Sequence, residues 1–420
     1  MLKKRAENVF SPVLSRFHEL DIKYGKGCYL YDHANTPYLD FGSGIAVTST
    51  GHCHPAIVEA VQKQAGELIH PCIAVGNTDV VIECAEKIVS LFHPDSYSVF
   101  FEQSGAGAVE AALKLAKFIT KKHHILAFEG GFHGRSMGAL SVTTSKRAYR
   151  DHIGPMLDGV SFFPFPNLYR SSDPAISEPS VESYILKLKE RSVIHSGLAA
   201  VIIEPILGEG GYVPVPIEFL KSVSLLCKEH GVLLIVDEIQ SGIGRTGRWF
   251  QFQKANIVPD IVVLAKGLGS GMPIAACVGK TELMKQWGKG SHGGTYGGNP
   301  VACAAASATI DVITNQLPNI TNLSLFVSNK FAALENHPYV GDIRIEGLMI
   351  GIEFVKNKQT KEPYPEIVSD LLQQALAKRL IILSCGVYSN VIRLAPPLII
   401  SQEELDKGLT LLLEIINDYH

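Results

Sequence analysis

The sequence has no excess of charge of either sign. Across 420 residues, 38 Lys and Arg stand against 41 Asp and Glu, a formal net charge of −3. That balance gives no electrostatic case for a nucleic-acid partner or an anionic membrane surface. Lys3, Lys4 and Arg5 read as a solvated tail. No apolar run approaches the ~18 residues of a membrane span. The N-terminal MLKKRAENVF lacks the apolar centre of a signal peptide. The eight cysteines are dispersed with no C-x-x-C pair, which suits reduced thiols and a cytoplasmic location. His52, Cys53 and His54 are adjacent, but neighbours in an extended segment face opposite ways. With no second cluster at ligand spacing, no metal is expected. A Walker sequence, G-x-x-x-x-G-K-[ST], is also missing.

What is present is an apolar fraction of 46% with 19% charge, the composition of a folded globular chain. The length suits two domains, or one large domain with a satellite. Short apolar runs rich in Val and Ile recur at residues 98–101, 125–128, 199–204, 232–237, 261–265 and 274–278. Their lack of polar alternation predicts strands covered on both faces, as in a mostly parallel sheet. Helical spacing lies between them, at 108–120 and at 218–230 before Gly231. The alternation predicts an α/β domain. From about residue 315 the pattern changes to helices near 323–334 and 366–379 and a last helix opened by a Ser401–Glu404 capping box. The expected division is a large domain at 56–314 and a smaller α+β domain built from 315–420 with the N-terminal segment 1–55.

Four of the expected strands end in unusual places. VLLIVD stops on Asp237, AAVIIE on Glu204, DIVVLAK reaches Lys266, and SVFFEQ runs into a Ser104–Gly105 turn. In open α/β sheets, ligands bind beyond the carboxyl ends of the strands. A single acid there is usually a strand reaching solvent. Two acids and a lysine at one edge form a constellation in which each group needs the others. A lysine becomes a nucleophile when burial lowers its pKa, and a buried carboxylate needs a cationic partner. A lysine that forms a Schiff base and an aspartate on a pyridinium nitrogen are the protein groups expected around pyridoxal phosphate. The Gly-rich turn 105–107 before a helix offers backbone donors to the phosphate. The GIGRTG that follows Asp237 matches G-x-G-x-x-G in form only. It sits outside a first strand-to-helix turn and leads into RWFQFQ, so nicotinamide binding is not expected.

At these residues the chain resembles the class III aminotransferases, the ω-aminotransferase branch of the fold-type-I pyridoxal-phosphate enzymes. The likeness runs nearly end to end and is carried by IIEPILGEGG, VDEIQSGIGRTG, PDIVVLAKGLGSGMP and GGTYGGNPVACAAA. It implies a homodimer with pyridoxal 5′-phosphate. Lys266 would bind the cofactor covalently and move the substrate proton. Asp237 would pair with the ring nitrogen, Gln240 with the ring oxygen, and Phe132 would stack on the ring. Gly105 and Ala106 would hold the phosphate, with Thr295 reaching it from the partner subunit. Glu204 would lie near the cofactor and help position Gln240. Ile45 would line the substrate pocket. Arg135 would bind a distal carboxylate and Arg393 the α-carboxylate of glutamate. Glu209 would pair with Arg393 when no α-carboxylate is there.

The implied reaction takes an amino group from an ω-amino donor to a 2-oxo acid, 2-oxoglutarate above all. GLMIGIEFV and VIRLAPPLII are most like 4-aminobutyrate aminotransferases. Phe132 is the residue usual in acetylornithine aminotransferases, which keeps that donor open. Ala74 or a neighbour replaces a Gln frequent in bacterial 4-aminobutyrate enzymes, and Gly107 replaces the usual Glu. A racemase or aminomutase would have no use for the Glu209–Arg393 pair. An inactive cofactor-binding scaffold would be expected to have lost Lys266 or Asp237.

Overall fold

The computed structural model describes residues 2–171, 176, 179–190 and 193–419. At its centre is a seven-stranded sheet. In chain order its strands are β1 (Tyr97–Glu102), β2 (His124–Phe128), β3 (Val160–Phe163), β4 (Leu198–Ile203), β5 (Leu233–Asp237), β6 (Ile261–Leu264) and β7 (Ala275–Lys280). They lie side by side as β1-β7-β6-β5-β4-β2-β3. The pairs β6–β5, β5–β4, β4–β2 and β2–β3 are parallel. β7 runs antiparallel to both neighbours. The expected mostly parallel sheet is therefore present, with one reversed strand. Periodicity could not reveal the reversal, because Ala275 to Gly279 is as buried as the parallel strands. β3 was not anticipated. It is an edge strand with only Phe163 buried, so it lacks the continuous apolar run.

The central strands are apolar because helices cover both faces. Every residue of β4 and β6 is buried, and each such Val, Ile or Leu contributes ~1.5–3 kcal/mol by leaving water. The helix Gly105–Thr120 packs its face of Ala108, Ala111, Ala112 and Leu115 on the sheet. Small residues there let helix and sheet approach closely. The helix Ile217–His230 ends at Gly231, whose φ of 62° is the left-handed stop that glycine adopts without a Cβ penalty.

A second hydrophobic cluster joins the two chain ends. It holds Cys28, Leu39 and Phe41 together with Ile350, Ile392 and Leu409. The helix Pro300–Phe331 belongs to both clusters. Its Ala302, Cys303, Ala306 and Ile310 pack with the large sheet, while Ile313, Ile320, Leu323 and Phe331 pack with the second cluster. It continues through Pro318, which hides its length from a reading that treats an interior proline as a break. Sequence periodicity showed only its last turns. The last helix, Gln402–Asn417, opens with the expected capping box: Ser401 Oγ accepts from Glu404 N, and Glu404 Oε2 accepts from Ser401 N, each at 3.1 Å.

Candidate active site

β1, β4, β5 and β6 all end at the same edge of the sheet, and their ends wall a cavity of about 380 Å³, a small-molecule volume. The cavity is lined by Lys266, Asp237, Glu204, Gln240, Phe132, Arg135, Gly105 and Ala106. Residues scattered over 160 positions of sequence thus meet because successive crossovers return each strand to the same edge.

Lys266 begins the tight turn after β6 with φ of 38°, in the left-handed region. A non-glycine residue there is strained, and the turn is held by what packs on it. A Cβ on Gly267 would lie 2.6 Å from Ser49 Oγ, and Ser270 Oγ accepts from Thr50 N at 2.9 Å. The N-terminal segment therefore braces the lysine turn. Burial pushes the Lys266 pKa down to about 8, with Arg393 as the second cause; Glu204 and Asp237 oppose both. A neutral amine that can attack an aldehyde or accept a proton is thus accessible near pH 8.

Asp237 is 4% exposed. Its Oδ1 accepts from Ile239 N at 3.0 Å and its Oδ2 accepts from His133 Nδ1 at 2.7 Å. Burial, the largest single influence, disfavours the imidazolium, yet the hydrogen bond and charge of Asp237 together with the charge of Glu204 outweigh it and raise the His133 pKa. A buried carboxylate backed by a histidine suits a ligand cation on its open side. Glu204, one residue past β4, accepts from Phe132 N at 2.7 Å and Gly208 N at 2.9 Å. Burial lifts its pKa to about 7. Its two amide bonds tie the Phe132 loop to the loop that carries Glu209. Gln240 Oε1 accepts from Tyr212 OH at 2.8 Å, which leaves the amide NH₂ of Gln240 to face a ligand.

Also on the cavity wall, Ser104 Oγ accepts from Gly107 N at 3.1 Å and caps the helix Gly105–Thr120. The first amides, of Gly105 and Ala106, have no carbonyl within the helix to bond and line the cavity. Together with the helix dipole they form an anion seat. Gly105 is tightly enclosed: a Cβ there would lie 3.0 Å from Ile239 Cδ1, which would have to give way.

Beside this cavity stands a second set of charges. Arg393, on the strand Val391–Leu394, is 2% exposed and donates from Nη1 to Glu209 Oε2 at 3.1 Å. Its Nε is buried with no partner. Glu209 Oε1 accepts from Tyr149 OH at 3.2 Å and lies 3.4 Å from Lys146 Nζ. The Tyr149 ring lies under the Arg135 guanidinium at 4.2 Å and meets Phe132 edge-on at 5.8 Å. Ile45, 37% exposed with φ of 69°, and the exposed Thr295 lie outside the cavity wall of this chain.

The model of the aminotransferase class-III family matches residues 11–416. This chain is a class III aminotransferase. It is 36% identical to the probable 4-aminobutyrate aminotransferase of Bacillus subtilis, over 98% of this chain and 95% of that one. It is 36% identical to the 5-aminovalerate aminotransferase of Pseudomonas aeruginosa, over 99% and 98%. It is 37% identical to the acetylornithine aminotransferase of Methanopyrus kandleri, over 92% and 91%. A solved Bacillus anthracis aminotransferase superposes with a TM-score of 0.90 at 30% identity, covering 99% of this chain and 98% of that one. The fold is that of the fold-type-I pyridoxal-phosphate enzymes, and class III aminotransferases depend on pyridoxal phosphate. The residues of this chain fit that cofactor: backbone amides free to take an anion, a buried carboxylate and a lysine of lowered pKa line one cavity. Among the described residues, no helix of this aminotransferase is long and apolar enough to cross a membrane.

Sequence reasoning did not assign roles to His133, Tyr149, Lys146 or Tyr212. His133 lies 104 positions from Asp237 and Tyr149 lies 60 from Glu209. No local spacing signals such pairs. The adjacency of His133 to Phe132 was the one available hint. His52 Nε2 sits 2.8 Å from Asp40 Oδ2, and His54 caps the helix Pro55–Glu67.

Proposed function

We propose that this enzyme moves the amino group of an ω-amino acid, 4-aminobutyrate in the first place, to 2-oxoglutarate, giving succinate semialdehyde and glutamate. One observation carries the reading. Arg393, the cation suited to an α-carboxylate, is neutralised by Glu209 at 3.1 Å yet keeps a buried, unpartnered Nε. A lone charge in a dry pocket is expensive. Glu209 serves while a donor without an α-carboxylate is bound, and the unused Nε stands ready for glutamate or 2-oxoglutarate. Arg135, at the cavity mouth, is the counterpart for the distal carboxylate of either substrate.

Bound in this site, pyridoxal phosphate supplies an electron sink for the carbon that loses its proton. Lys266 would anchor the cofactor and, as a neutral amine, would carry that proton. Asp237, steadied by His133, would keep the ring nitrogen protonated. Gln240, oriented by Tyr212, would donate to the ring oxygen. Phe132, tied to Glu204, would stack on the ring, and Gly105 and Ala106 would hold the phosphate. Ile45 borders the donor's path.

The same proposal includes a homodimer in which Thr295 completes the partner's phosphate site. The Thr295 loop lies against residues 69–75, with Asn299 Nδ2 donating to Ile69 O at 3.0 Å and His70 stacked on Tyr296 at 5.3 Å. Ile69, Ile73, Val75 and Tyr296 are exposed there, an apolar patch suited to a second copy. It also includes the division into 56–314 against 1–55 with 315–420, supported by the two hydrophobic clusters, and a cytoplasmic location, supported by eight free cysteines.

N-acetylornithine is the second reading, favoured by Phe132. The test is turnover with 2-oxoglutarate and, separately, 4-aminobutyrate, 5-aminovalerate and N-acetylornithine, reading glutamate formed. Highest kcat/KM with 4-aminobutyrate supports the proposal. Activity with N-acetylornithine alone replaces the donor, and glutamate formation from none of the three overturns the ω-amino reading.

A further inference from the structure

The pairing of Glu209 with Arg393 leaves a question of charge. When an α-carboxylate takes Arg393, Glu209 must release it, and its own negative charge then needs a partner. The carboxylate is only 14% exposed, so water is a poor substitute. The structure shows where the charge can go. Glu209 Oε2 faces Arg393, and Oε1 already faces Tyr149 OH at 3.2 Å and Lys146 Nζ at 3.4 Å. Lys146 is 28% exposed in its side chain and close enough to pair. Among the described residues, Lys146 makes no other ion pair.

We propose that Lys146 and Tyr149 form the second seat of Glu209, holding its carboxylate while the α-carboxylate of glutamate or 2-oxoglutarate occupies Arg393. This rests on the two-substrate reading above. Both are positioning residues, since they act through Glu209. The change of seat is a side-chain rotation in which Oε2 leaves Arg393 and Oε1 keeps its two partners. The buried charge is paired at both ends of the movement, which keeps the barrier low. Tyr149 also carries Arg135 over its ring face at 4.2 Å and touches Phe132 at 5.8 Å. The seat of Glu209 and the distal-carboxylate arginine therefore share one side chain. A dicarboxylate that engages Arg135 settles against the residue that receives Glu209.

The test separates the two carboxylate-bearing ligands from the ω-amino donor. Holoenzyme is titrated with glutarate, an unreactive dicarboxylate, by calorimetry, and the half-reactions with glutamate and with 4-aminobutyrate are followed in the visible spectrum. Lys146→Met should weaken glutarate and raise the glutamate KM about fivefold, the scale of a partly buried ion pair, with a smaller change for 4-aminobutyrate and little change in either limiting rate. Tyr149→Phe, which keeps the ring, should give the same pattern at about threefold. In a Glu209→Gln background, Lys146→Met should have no further effect on glutarate, because no charge remains to be seated. Equal losses for both donors overturn the proposal, as does an undiminished loss in the Glu209→Gln background, or no loss at all. A wild-type enzyme that responds to glutamate and to no ω-amino donor removes the two-substrate reading and this inference with it. A wild type that responds to both, with variants losing equally, removes only the inference.

Discussion

The two halves of the site handle buried charge in opposite ways. On the cofactor side, Asp237 has both oxygens bonded and its histidine partner within 2.7 Å, and Glu204 has both oxygens on backbone amides. Those acids are fixed. On the substrate side, Glu209 is shared among Arg393, Tyr149 and Lys146 at 3.1 to 3.4 Å, and Arg393 keeps an orphaned Nε. Those charges are held loosely and in excess. The difference matches what each side must do. In the proposed reaction one cofactor would be held the same way in every half-reaction, whereas two unlike substrates would take turns at the other end. Preorganisation belongs where the ligand never changes, and incomplete pairing belongs where it does.

Breaking the fixed side should cost most. Lys266→Met should lower turnover by ~10³-fold or more by removing the amine that carries the proton, and borohydride should fix no cofactor to the chain. The same variant should stabilise the apoprotein at neutral pH by about 1–3 kcal/mol, read from thermal unfolding. In the wild type the folded lysine titrates near 8 and the unfolded one near 10.5. The unfolded state therefore holds the extra proton between those values, and apoprotein stability should rise with pH across that window. The variant should lose that rise. Asp237→Asn should come next, with a ~10²-fold or greater fall in kcat and weaker cofactor retention, since the ring nitrogen and His133 both lose their anion. Breaking the switchable side should be selective instead. Glu209→Ala should reduce kcat/KM for 4-aminobutyrate by about tenfold while sparing glutamate, and equal losses would erase the distinction between the two sides.

The smallest effect is expected at Gly107. A Cβ there would lie 2.8 Å from Glu102 Oε2, so the Glu102 carboxylate fills the space of a residue-107 side chain. Gly107→Ala gains ~1 kcal/mol of helix propensity and must displace Glu102. Thermal unfolding should therefore shift by about 1 kcal/mol or less, with cofactor binding retained because the phosphate donors are backbone amides.

The fixed side was also the more legible in sequence. Asp237, Glu204 and Lys266 break continuous apolar runs, and a charge at the end of a buried strand is visible without a structure. The pairs that tune them were not. His133 reaches Asp237, and Tyr149 reaches Glu209, only through the crossovers that bring the loops to one edge. β7 read as one more buried strand because burial, not direction, sets its composition. The helix Pro300–Phe331 was seen only in part because Pro318 and the change of packing partner near residue 311 disguise one helix as two. The donor is the least legible property, since in the proposed reaction it would depend on a few side chains such as Arg135 and Phe132 that no local sequence pattern ties to one substrate.

The most direct test of the central claim is the visible spectrum of the holoenzyme mixed with 4-aminobutyrate and no 2-oxo acid. Loss of the lysine-bound cofactor band, followed by its return on adding 2-oxoglutarate, is the predicted result. A band that stays unchanged with 4-aminobutyrate, 5-aminovalerate and N-acetylornithine while glutamate bleaches it would contradict an enzyme built to alternate between an ω-amino donor and an α-amino acid.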